Sequence, residues 1–109
     1  MAYSESLARR VRQLLAGNRS VSEREMFGSI GFLLHGNMCV GVSQTSLIVR
    51  LGPEQADVAR QQPHVVEFDV AGRPLRGWVM VEADGIETEE QLRTWIGRSA
   101  EFVETLKRK

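Results

Sequence analysis

The sequence predicts an α+β fold: two layers, with an antiparallel sheet of about five strands covered on one face by helices. Three observations predict it. Residues 30–51 fall into three short runs of alternating apolar and small or polar side chains, joined by tight turns. The opening and closing segments instead repeat their apolar residues every three or four positions, as amphipathic helices do. The resulting order is α-β-β-β-α-β-β-α in a chain of 109 residues, which suits one two-layer domain.

The elements follow from local chemistry. Ser4 is placed to cap a first helix, and Leu7, Val11, Leu14 and Leu15 form its buried stripe. Gly17-Asn18 should end it, because both residues tolerate left-handed backbone. Arg9, Arg10 and Arg12 then form a solvated basic face. Ser22 and Glu25 match a capping box, but the pattern after them reads as strand. The first strand begins near Ile30, and Gly36-Asn37 supplies the positive φ angles of a hairpin turn. Met38, Val40 and Val42 alternate with Cys39, Gly41 and Ser43 in the second strand. In the third, Leu47, Val49 and Leu51 share one face, and Ser46, Ile48 and Arg50 the other.

Gly52-Pro53-Glu54 starts a short helix, which Pro63 should stop near Gln62. Val65–Val70 reads as a fourth strand, Ala71–Gly77 as a Gly/Pro loop and Trp78–Val81 as a fifth strand. Thr88 and Gln91 make a capping box before a long helix. Its apolar stripe is Leu92, Trp95, Ile96, Phe102, Val103 and Leu106, and Lys107, Arg108 and Lys109 complement its negative end. The two terminal helices should share one sheet face, leaving the other face wetted or paired with another molecule.

Composition narrows the function classes. Fourteen basic and fourteen acidic residues give no net charge, which does not favour nucleic-acid binding by this domain alone. One cysteine excludes an intrachain disulfide and fits a reducing, cytoplasmic setting. The charged N-terminus does not read as a secretion signal, and the apolar runs are far below membrane-spanning length.

An opening helix precedes Met26-Phe27-Gly28, Gly31-Phe32, Gly36-Asn37, Cys39, Gly41-Val42, Val49–Pro53, Phe68, Gly72-Arg73-Pro74 and Gly77-Trp78-Val79. In this order and spacing, the sequence resembles the TfoX/Sxy N-terminal domain family over nearly its whole length. That family includes bacterial regulators of DNA-uptake competence, which carry an additional C-terminal, helical nucleic-acid-binding domain. The resemblance implies one TfoX N-terminal-like domain over residues 1–109, without a counterpart of that second domain. It also implies a secretion-chaperone-like fold, a group whose members often form homodimers.

The residues themselves offer little chemistry. Cys39, His35 and His64 are too few for a structural zinc site, so no metal and no cofactor are expected. Cys39 between Met38 and Val40 reads as a small buried hydrophobe, and no catalytic dyad or triad stands out. The arginines are the more informative polar residues. Arg50 and Arg73 could line an anion pocket with Met26 and Phe27 as its apolar wall, or could pair with carboxylates to settle the fold. The preferred reading is a non-enzymatic regulatory or protein-interaction domain that forms a homodimer. The alternatives are a small-anion binding or enzymatic domain using Arg50 and Arg73, and a nucleic-acid accessory.

Overall fold

A computed structural model describes residues 3–26, 28–70 and 72–107. Helix α1 (Glu5–Leu14) leads into strands β1 (Val21–Met26), β2 (Ser29–Leu34), β3 (Asn37–Ser43) and β4 (Ser46–Arg50). Helix α2 (Pro53–Ala59), strands β5 (Val65–Val70) and β6 (Arg73–Val81), a 3-10 turn (Ala83–Gly85) and helix α3 (Glu89–Val103) complete the order. The strands form a single six-stranded sheet in the order β1-β2-β3-β4-β6-β5. Every neighbouring pair is antiparallel.

The helices start as the sequence predicts. The Ser4 side chain accepts the Leu7 N–H, and Thr88 and Gln91 close a reciprocal capping box at α3. Leu7 and Val11 of α1, Ala56 and Ala59 of α2, and Leu92, Trp95, Ile96 and Val103 of α3 all enter one buried cluster. Its sheet members include Phe32, Val40, Val42, Leu47, Val49, Val79 and Val81, which share one face by register. All three helices therefore cover the same side of the sheet. Ile48, on the other side, is buried without joining that cluster.

Several expectations are corrected. The sheet has six strands instead of about five, because residues 21–26 pair with β2 as an edge strand. Glu23 and Glu25 fall on its helix-covered side, where Arg12 of α1 and Tyr3 bond them. Backbone pairing with β2 along the whole segment makes it a strand despite its high charge. Residues 73–77 belong to β6 and do not form a free loop, although the register with β5 breaks between Glu67 and Asp69. The hairpin turn after β2 uses His35 (φ 53°) and Gly36 (φ 83°), one position earlier than predicted. Asn37 instead is buried in β3, and its Nδ2 donates to the Lys107 carbonyl at 2.9 Å.

A further correction concerns Cys39. A register shift beside Phe32 and Leu33 turns Cys39 toward the helices, next to Val40, and puts Met38 on the far side beside Gly41. α2 and α3 also end earlier than expected, at Ala59 and Val103, so Leu106 lies past the helix. Nor is the α1 face merely solvated. Arg10 donates to the carbonyls of Ile86 (2.8 Å) and Glu87 (3.3 Å), and Arg12 pairs with Glu23. Arg108 and Lys109 lie outside the described residues, as does Ala71.

Candidate functional site

Two of the chain's glycine motifs, Val49–Pro53 and Gly77-Trp78-Val79, meet at one corner of the sheet, where β4 passes into α2 alongside β6. The Gly77 carbonyl accepts N–H bonds from Leu51 (2.8 Å) and Gly52 (3.0 Å). The Phe102 ring of α3 packs against Gly52, so close that a Cβ there would meet Cε1 at 2.5 Å. Arg50 and Trp78 are paired across β4 and β6. The Arg50 guanidinium carbon lies 5.2 Å from the centre of the Trp78 ring and 5.9 Å from that of Phe102. Its Nη1 reaches the Met38 carbonyl at 3.5 Å. Cation–π contact explains this placement, because the ring faces attract the guanidinium without a counter-charge.

The expected carboxylate pairing of Arg50 is thus not what is found among the described residues: two rings and a carbonyl hold it instead. Nor are the other candidate residues gathered around it. Arg73 is exposed at the hairpin end of β6, on the order of 15 Å along the strand from Trp78. Met26 ends β1, three strands away from β4 and near the opposite end of the sheet. Phe27 lies outside the described residues. Sequence reasoning missed Trp78 and Phe102 as the partners of Arg50. The Gly-Trp-Val motif was a signal for the first, whereas only the packing of α3 reveals the second.

Cys39 faces the core. Its thiol donates to Ser99 Oγ at 3.2 Å, and the Ser99 hydroxyl donates to the Cys39 carbonyl at 2.7 Å. Burial pushes the thiol pKa up, and the Ser99 bond and nearby Arg50 only partly oppose it. A thiol held protonated is a poor nucleophile and a poor metal ligand at neutral pH. His35 is in the hairpin turn, and His64 is exposed before β5 with φ 67°. The His64 carbonyl accepts the Glu82 N–H at 2.8 Å, which gives this unusual backbone a structural role. No cluster of three or more metal-ligating side chains occurs among the described residues.

An open cleft of about 820 Å³ runs between the turn at His64 and the first half of α3. Arg98 on its wall stacks over Trp95, 4.7 Å from the ring centre, and reaches Gln55 at 3.5 Å. Thr88 and Gln91 there are occupied in capping α3. The cleft is wide and its best donors are engaged within the protein.

The far face of the sheet is different. By register it carries Leu33 and Met38, Ile48 and Met80, and Trp78 with Phe68 and Val66, in neighbouring rows. The Phe68 and Trp78 rings are 6.1 Å apart, and the Met38 methyl lies over Gly31 and Gly41. Ile48 there is buried, Met38, Met80 and Trp78 are half-buried, and Phe102 of α3 reaches its edge beside Arg50. Apolar side chains thus occupy both faces of a sheet that has helices on only one.

This arrangement defines a class: a two-layer α+β domain with apolar side chains on both faces of its sheet and a glycine joint where β4 passes into α2. The family model of the TfoX N-terminal domain matches residues 13–103, and the chain belongs to that family. Neither the curated proteins nor the solved structures include a match to it. No helix among the described residues is long and apolar enough to cross a membrane.

Proposed function

We propose that this chain is a non-catalytic interaction domain of a regulatory type, and that it pairs with a second copy through the far face of its sheet. The observation that carries this reading is the run of apolar side chains on the side of the sheet away from the helical core, where Met38, Met80 and Trp78 stand half-buried around a buried Ile48. Its charged far-face residues, Arg24 and Arg50, stand outside that apolar centre, which leaves the centre free to meet its own image. The buried, protonated thiol of Cys39 and the separation of Arg50 from Arg73 both fit a domain that binds rather than reacts.

The size of the face limits the strength of the pairing. Six strands about 4.8 Å apart, each offering about 15 Å of length, present a flat footprint on the order of 400 Å². A standard interface buries about 800 Å² per partner. The dimer is expected to form in a concentration-dependent way.

Light scattering across a wide concentration range tests this. Mass should rise from monomer to dimer, and Met80→Glu should hold the chain monomeric without unfolding it. A monomer at every concentration removes the homodimer. A dimer that Met80→Glu leaves intact removes the far face as its seat.

A further inference from the structure

We propose that the free edge of β5 accepts an extended segment of another protein, in which Lys or Arg alternates with apolar residues, as a seventh strand. This rests on reading the chain as an interaction domain, but not on the dimer.

β5 is the outermost strand, and only β6 pairs with it. The His64 carbonyl accepts the Glu82 N–H, which sets the even-numbered residues of β5 toward β6. By alternation, the N–H and C=O groups of Glu67 and Asp69 point outward, where a further strand would bond them. The side chains divide into two rows. Val66, Phe68 and Val70 lie on the far face, with Val66 38% and Val70 52% exposed. Glu67 and Asp69 lie on the other face and are exposed. An added strand must offer apolar groups to the first row and cations to the second.

Charge decides which strand fits. A second copy of β5 would bring Glu67 and Asp69 against their own kind. A second copy of β1 would bring Glu23 and Glu25 onto the same side. Copies of β5 therefore repel one another across that row, and pairing of copies through β5 is disfavoured. The β1 edge is also engaged by its own helix side, through Arg12 with Glu23 and Tyr3 with Glu25. Among the described residues, no side-chain bond or ion pair engages Glu67 or Asp69 of β5 in this way. A cationic and apolar strand from a different protein satisfies both rows.

The test uses the whole chain and a capped seven-residue peptide with lysines alternating with valines. The control peptide has glutamates in place of the lysines. Amide NMR titration at low salt should show the Glu67 and Asp69 signals moving with the lysine peptide and their hydrogen exchange slowing. The glutamate peptide should bind at least tenfold more weakly. The double variant Glu67→Lys, Asp69→Lys should reverse that preference, since both side chains are exposed and the fold does not depend on them. Equal binding of the two peptides, no binding of either, or shifts located away from β5 would each overturn the proposal. Light scattering on the same samples reports the far-face dimer separately, so failure of one reading is not failure of the other.

Discussion

Gly52 and Gly77 meet backbone to backbone. A Cβ on Gly77 would lie 3.3 Å from the Gly52 carbonyl carbon, and both residues have positive φ, 86° and 92°. Two motifs that are distant in sequence are thus one joint, which turns β4 into α2 and holds that turn against β6. Arg50 and Trp78 beside it belong to the same joint. Of the residues that mark the family in this chain, Arg50, Gly52, Gly77 and Trp78 are accounted for by shape at this corner.

The joint predicts a strong stability effect. Gly52 combines positive φ with ψ 157°, a region that L side chains strongly disfavour, and its Cβ position is filled by Phe102. Gly52→Ala should cost about 3 kcal/mol or more, and Gly77→Ala about 1–3 kcal/mol. Urea unfolding of the two variants measures this. A midpoint for Gly52→Ala equal to that of the parent protein would contradict the packing at this corner.

Arg50 is held by rings, so removing it should carry no carboxylate signature. Arg50→Gln should destabilise by about 1 kcal/mol, and a double-mutant cycle with Trp78→Leu should return a coupling of about 0.5–1 kcal/mol. The cost should be the same at pH 4 and pH 7. A cost that fades as carboxylates are protonated would mean that an acidic side chain is the true partner.

The Cys39 thiol should be silent in the folded protein. Its pKa is raised by burial, so the folded state keeps its proton at pH values where the unfolded chain loses it. Stability from this group is complete below the unfolded value of about 8.5 and is lost as pH rises through the folded value. A thiol reagent at pH 8 should react only at the rate of unfolding, and stability should decline above pH 9. Fast reaction under native conditions would place the thiol at the surface.

Two arginines on α1 should differ in worth. Arg12 and Glu23 form a pair at 2.7 Å with side chains 50% and 37% exposed, and Arg12's hydrogen bond holds the Glu23 carboxyl below its usual pKa. The pair's contribution is present above the ordinary carboxylate range and fades as pH falls through the lowered value. Solvent screening keeps it small, so Glu23→Gln should change stability by less than about 1 kcal/mol. Arg10 ties α1 to the Ile86 and Glu87 carbonyls just before α3. Arg10→Ala should cost more, about 1.5–3 kcal/mol. Thermal or urea unfolding separates the two, and an equal cost would contradict this ranking.

The sequence by itself determined the fold class, the helix starts and the face of each residue in β4. Leu47, Val49 and Leu51 face the helices because side chains alternate in any strand, and Thr88 with Gln91 caps α3 because both partners lie within one turn. These features need nothing beyond their own neighbours. It did not reveal β1, whose charged residues are held in a strand by pairing with β2. Nor did it reveal the shift that turns Cys39 inward, or Phe102 beside Arg50. Those depend on contacts between residues far apart in the chain. Only tertiary packing decides them, because their energy comes from surfaces that no local stretch contains.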